Sequence, residues 1–220
     1  MTAKLSGPML LPKSGATPSM AVVLLPGYGS DGNDLIGLAP YWQDLLPEAL
    51  FVAPNAPEPC RMLSSGYQWF DIALDGERLA SRQIGVETAR PVLMEFLEAM
   101  WAQTGIAPER TLLGGFSQGA MMALHTGLSM ERPLMGVVSF AGALLPPKDF
   151  GTHPYARPPV CIVHGNMDDV VDPQQSVHAE AMLRGAGYDV SYHSSPGTGH
   201  SISPDGLAFA TDFIRRVAGK

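Results

Sequence analysis

Gly114-Gly115-Phe116-Ser117-Gln118-Gly119 follows a short apolar run, Thr111-Leu112-Leu113, and opens onto Ala120-Met121-Met122-Ala123-Leu124-His125, which reads as a helix. A serine with glycine two positions before it and two after it, set between a strand and a helix, is the nucleophile-elbow pattern. Such a turn strains the serine backbone, and side chains at its flanks would collide with the neighbouring strand and helix. The hydroxyl then stands clear of the sheet at the positive end of a helix. The pattern is short enough to arise by chance in a chain with 24 glycines, so the surrounding sequence must carry the reading.

Outward from the elbow, apolar runs of strand length alternate with helical patterns. Ala21-Val22-Val23-Leu24-Leu25 and Leu50-Phe51-Val52-Ala53 read as buried strands, the second stopped by Pro54. A helix is expected to start near Asn33 or Asp34, either of which could cap it. Another covers 84–103, with Val92, Leu93, Phe96, Leu97, Met100 and Trp101 at helical spacing, and Pro91 within it implies a kink or a later start. Beyond the elbow, strands are expected over 134–141, 160–164 and 189–193, and helices over 174–184 and 207–217. This alternation predicts an α/β architecture, a mostly parallel central sheet with helices on both faces and no large lid domain. Residues 55–79 remain as a long loop rich in Pro, Gly and Ser, yet holding Met62, Leu63, Tyr67, Trp69 and Phe70. A loop of that length in a compact domain is usually functional, and its aromatics argue against disorder.

Composition bounds the partners. A chain of 220 residues supports one sizeable core, so a single domain over 1–220 is expected. Net charge is −7 without a basic cluster, which argues against nucleic acid or an anionic membrane surface. No apolar stretch follows a basic segment near the N-terminus, so no signal peptide is expected, and the apolar runs fall short of the ~20 residues of a membrane span. Cys60 and Cys161 are the two cysteines and follow no motif, which fits a reducing compartment and predicts a cytoplasmic protein. No His/Cys spacing suggests a metal site.

A serine hydroxyl is a poor nucleophile unless a base takes its proton and a carboxylate holds that base. On sheets that carry this kind of elbow, these groups arrive in the order Ser, acid, His, on loops after successive strands. After the strand ending at His164 comes Gly165-Asn166-Met167-Asp168-Asp169-Val170-Val171, and after the strand ending at His193 comes Pro196-Gly197-Thr198-Gly199-His200-Ser201. His125 and His178 fall within helices, His153 in a Pro-rich loop, and His164 and His193 at strand ends, so His200 is the expected base. Asp172 suits a helix cap before Pro173; Asp168 is the chosen acid, with Asp169 one position away. The oxyanion needs two donors, expected from the backbone N–H of Gln118 and, on Gly27-Tyr28-Gly29, that of Tyr28. Gly27, Gly29 and Gly32 also spell a dinucleotide-binding fingerprint, but the next strand ends in Pro54-Asn55 without the required acid.

With these motifs in place, the chain resembles the phospholipase/carboxylesterase group of α/β-hydrolases, which includes acyl-protein thioesterases and small bacterial carboxylesterases. The resemblance runs through Leu25-Pro26-Gly27-Tyr28-Gly29, Trp69-Phe70-Asp71-Ile72, Gly114 to Gly119, His164-Gly165-x-x-Asp168 and Gly199-His200-Ser201. It implies an α/β-hydrolase fold and cofactor-free hydrolysis of carboxylic esters or thioesters, with the acid on Asp168 and the oxyanion amides on Tyr28 and Gln118. Two positions depart from the family's usual pattern: Pro26 stands where histidine is common, and Ser30 where aspartate is common.

The expectation is therefore a serine esterase that cleaves short- to medium-chain acyl esters of small molecules through an acyl-enzyme on Ser117. Alternatives are an acyl-protein thioesterase or lysophospholipase taking longer chains, and a dienelactone-hydrolase-like enzyme, against which a serine nucleophile counts. A non-enzymatic binding protein on this fold would typically have lost a member of the Ser117, Asp168, His200 set. Leu63, Trp69 and Phe70 are expected to wall the acyl site, unless Trp69 and Phe70 merely fill the core beneath the loop. No cofactor, metal, nucleic acid or stable membrane insertion is expected, and the chain would act as a monomer or homodimer.

Overall fold

A computed structural model describes residues 5–72 and 78–220; positions 1–4, and positions 73–77 of the expected long loop, lie outside the described residues. The strand β2 (Met20–Leu25) lies in the interior of the sheet and is buried along its whole length. Alternate residues leave it toward opposite faces: Val22 and Leu24 join Trp42, Phe51, Phe140 and Phe213, while Val23 and Leu25 join Leu97, Leu113 and Met122. A strand covered on both faces must be apolar at every position, which is why this one reads as a continuous run.

Seven strands form the sheet in the order β1-β3-β2-β6-β7-β8-β9. The other six are β1 (Met9–Leu10), β3 (Ala49–Val52), β6 (Thr111–Phe116), β7 (Gly136–Phe140), β8 (Val160–Gly165) and β9 (Val190–Ser195). All pairings are parallel except that of β1, formed by the weak apolar patch at Met9-Leu10 and laid antiparallel on β3. From β2 the chain goes outward to β3 and returns to β6 on the other side, so strand order reverses between β2 and β6. Such a switch point is where open parallel sheets place ligands, outside the carboxyl ends of their strands.

Helices α3 (Arg78–Thr104), α4 (Gln118–Gly127) and α5 (Gln174–Gly185) cover one face. The short α1 (Gly32–Leu35) and α2 (Ala39–Trp42) and the C-terminal α6 (Pro204–Val217) cover the other. Two helix expectations are corrected. The cap of α1 is Asp31, whose extended backbone lets its carboxylate accept from the amides of Asn33 and Asp34. The helix over 84–103 starts earlier, at Arg78, and runs through Pro91. Pro91 lies on the exposed face, where water can serve the carbonyl that loses its donor.

The long loop contains a small antiparallel hairpin, β4 (Glu58–Pro59) with β5 (Tyr67–Gln68). It leans on the turn after β2: the Gly29 amide donates to Tyr67 O at 2.8 Å, and the Tyr67 amide to Ser30 O at 2.9 Å. Among the described residues no helix is long and apolar enough to cross a membrane.

Candidate active site

The serine of the elbow carries the strain that its sequence implies. Ser117 has φ 53° and ψ −116°, a conformation that L-residues rarely adopt. Its neighbours hold it there: its amide donates to Phe140 O on β7 at 2.9 Å, and its carbonyl accepts from Met121 of α4 at 3.1 Å. The two flanking glycines are required by space. A Cβ on Gly115 would meet the Gly119 carbonyl at 2.4 Å, and one on Gly119 would meet Leu25 O at 2.0 Å. Side chains at either place would push α4 off the sheet.

The loops after β8 and β9 bring the expected acid and base together. Gly165 lies so close to the backbone of Thr198 and Gly199 that a Cβ would come within 2.5 Å of both carbonyl oxygens. The Asn166 side chain accepts from the Gly197 amide at 2.8 Å, and the Met167 amide donates to Thr198 O at 2.9 Å. Thus pinned, His200 Nδ1 stands 2.7 Å from Asp168 Oδ2. The His200 ring also lies against Phe116, the residue before Ser117, with centroids 4.8 Å apart. The expected base therefore sits beside the elbow.

Asp168 is fully enclosed, and all its acceptor capacity is used. Oδ1 accepts from the Val170 and Val171 amides, both at 2.9 Å, while Oδ2 faces His200 and also His164 Nε2 at 3.0 Å. Burial opposes ionisation, but the hydrogen bonds from His200, Val171 and Val170 and the attraction of the His200 ring outweigh it, so the carboxyl is held below the usual carboxylate range. Asp169 is exposed.

His164, a strand-end histidine in the sequence, contacts the Asp168 carboxylate. Buried on β8, it receives the Ser176 hydroxyl on Nδ1 at 2.6 Å and directs Nε2–H toward Asp168 and, at 3.0 Å, Val171 O. The signal was present as a histidine four positions before the acid at the end of a strand.

Gly27 packs against the elbow, its Cβ position 3.4 Å from Ser117 Cβ, which places the Tyr28 turn beside the serine. Gln118 is the first residue of α4, so its amide has no intrahelical acceptor. Neither this amide nor that of Tyr28 meets an acceptor among the described residues. Two unpaired N–H groups beside a strained serine can receive an oxyanion. The three expected wall residues divide. Leu63 is exposed at the hairpin tip and overlies Gly29, whereas Trp69 and Phe70 are buried in the core. Among the described residues, no group of three or more His, Cys, Asp or Glu could hold a metal ion.

Comparison with known proteins places nearly the whole chain among hydrolases. Residues 12–218 match the sequence profile described as phospholipase/carboxylesterase. Acyl-protein thioesterase 1 of Gibberella zeae is 29% identical over 224 residues, covering 95% of this chain and 94% of that protein. Esterase YpfH of Escherichia coli is 29% identical over 200 residues, covering 90% and 83%. The crystal structure of esterase PE8 superposes with a TM-score of 0.93 at 48% identity, covering 97% of this chain and 99% of that one.

Proposed function

The chain belongs to the phospholipase/carboxylesterase family of hydrolases, and on that premise we propose that Ser117, His200 and Asp168 are its catalytic triad. The observation that carries the reading is the 2.7 Å contact of His200 Nδ1 with the enclosed Asp168 carboxylate, beside a serine held at φ 53°. Asp168 keeps the proton on Nδ1, which leaves Nε2 free as the base. Ser117 Oγ attacks the acyl carbonyl and gives its proton to Nε2, while the amides of Tyr28 and Gln118 receive the oxyanion. Collapse expels the alcohol or thiol, which takes that proton and leaves an acyl-serine. Water, deprotonated by the same nitrogen, attacks the acyl carbon; the proton then passes from Nε2 to the departing Ser117 Oγ and the carboxylic acid is released. The balance needs water alone.

The substrate of this reading is a short- to medium-chain acyl ester of a small molecule. Its supports are the likeness to two proteins named esterases and an exposed Leu63 at the rim, offering apolar surface to a modest chain. The relatives named acyl-protein thioesterase favour the second reading, hydrolysis of longer acyl thioesters. A cytoplasmic location completes the proposal, supported by two free, buried cysteines, Cys60 and Cys161, and the chain would act there as a monomer or homodimer. A fluorophosphonate probe tests the mechanism: it should label the wild type once, at Ser117, and leave Ser117→Ala unlabelled and inactive toward p-nitrophenyl butyrate. Labelling or hydrolysis surviving in Ser117→Ala would overturn it.

A further inference from the structure

The two proposed oxyanion donors lie on segments far apart in sequence, Tyr28 after β2 and Gln118 at the start of α4. An oxyanion hole works only if its donors keep a fixed spacing before the reaction begins. Residues 67–70 touch both segments. The Trp69 amide donates to Gln118 Oε1 at 2.8 Å, and Gln118 Nε2 donates to Phe70 O at 2.7 Å, so the glutamine side chain is gripped at both ends. From the same tryptophan, indole Nε1–H donates to Pro26 O at 3.0 Å, two residues before Tyr28. On the other side of Tyr28, the Gly29 amide is bound by Tyr67 O at 2.8 Å. The Tyr28 peptide is thus held on both flanks, and the residue bearing the second donor is held through its side chain.

We infer that Trp69 is a positioning residue: with the Gln118 side chain it forms one brace that sets the gap between the Tyr28 and Gln118 amides. The brace is dry and rigid. Trp69 and Gln118 are each 3% exposed. Phe70 is wedged beneath α3, where a Cβ on Gly85 would come within 2.5 Å of its ring. Three buried hydrogen bonds in one chain restrict one another, so losing any of them frees the others to shift. Pro26, which has no N–H of its own, enters this network through its carbonyl. This inference rests on the proposed role of the two amides.

The test separates positioning from folding. Trp69→Phe keeps the ring and removes the donor to Pro26; Gln118→Met keeps the length and removes both ends of the grip; Gln118→Glu keeps the acceptor for Trp69 and loses the donor to Phe70. Each is assayed for kcat and KM on p-nitrophenyl butyrate, for the Ki of an alkyl trifluoromethyl ketone, whose adduct with Ser117 carries an oxyanion, and for Tm. Deleting one oxyanion donor outright costs roughly 10²–10³-fold. A displaced donor should cost part of that, with Trp69→Phe losing ~10-fold in kcat/KM and Gln118→Met more. KM should move less than about threefold, and Ki should rise in proportion to the loss in kcat/KM, because both report the tetrahedral oxygen. Rates within twofold of wild type in folded variants, or losses with Ki unchanged, overturn the brace. If Trp69→Phe does not fold, the two Gln118 variants decide alone by the same proportionality. A wild type insensitive to the ketone would instead overturn the amide assignment itself.

Discussion

Replacing Asp168 with asparagine changes one atom's chemistry at a carboxylate whose four hydrogen-bond donors are all known. The Val170 and Val171 amides, both 2.9 Å from Oδ1, cannot give up their protons, so the asparagine oxygen must take that side. Its NH₂ then occupies the place of Oδ2, facing His200 at 2.7 Å and His164 at 3.0 Å. Both rings can respond by changing tautomer. His200 accepts on Nδ1 and carries its proton on Nε2, which now points a donor toward the nucleophile and cannot take its proton. The fold gives up the His164 Nε2–H bond to Val171 O, a cost of about 1–3 kcal/mol, while the base is lost. In a comparable triad this substitution costs about 10⁴-fold in kcat, equivalent to ~5.4 kcal/mol of transition-state stabilisation. The assay is kcat/KM on p-nitrophenyl butyrate for Asp168→Asn beside Asp169→Asn, with urea unfolding of both and ¹⁵N shifts of the His200 ring in the first. Asp169 is exposed, so its variant should stay near wild type. An Asp168→Asn enzyme within tenfold of wild type, or an Asp169→Asn enzyme more damaged than it, would refute the reasoning.

Gly119→Ala would place a methyl 2.0 Å from Leu25 O, between a strand and a helix that cannot part, and should cost 3 kcal/mol or more by urea unfolding, on the order of the upper end for overpacking. Gly37→Ala meets open space and should instead leave stability unchanged or raise it by up to ~1 kcal/mol. His125 is buried in α4 with its Nδ1 on Leu145 O at 2.6 Å, and burial depresses its pKa below that of the unfolded chain. The unfolded state then binds the proton first, so the urea midpoint should decline as pH falls from ~6.5 toward the folded value, and His125→Gln should flatten that slope. Among p-nitrophenyl esters, kcat/KM should rise from acetate and decline before palmitate, each added CH₂ contributing ~0.8 kcal/mol until the apolar surface at Leu63 is covered. Leu63→Ala should weaken that preference; a steady rise through palmitate would favour the long-chain thioesterase reading.

The fold was legible because its main signals are local. A strand buried on both faces has to be apolar throughout, and Met20–Leu25 is. Gly115 is forced by the Gly119 carbonyl within the elbow itself, so that half of the pattern is legible locally, whereas Gly119 answers to Leu25 O on β2. What escaped was non-local. Nothing near Trp69 announces that its indole reaches Pro26, and its aromatic character suited a pocket wall as well as a core. His164 looked like any strand-end histidine until the turn through Gly165 folded Asp168 back onto it. Capping failed for a smaller reason: Asp31, Asn33 and Asp34 are all good caps, and backbone direction chose among them.

The pairing of β2 with β6 sets Ala21 against Thr111 and Leu25 against Gly115, across a long span of intervening chain. Closing so large a loop is entropically only slightly dearer than closing a short one, but contacts of such separation slow folding. Until they close, β6 presents an unpaired apolar edge at Leu112 and Leu113, and the first turn of α4 has no Leu25 backbone to rest against. A chain diluted from urea should thus recover helical signal well before esterase activity and be most prone to aggregate in the interval. The lag between the two signals would time the meeting of β2 with β6.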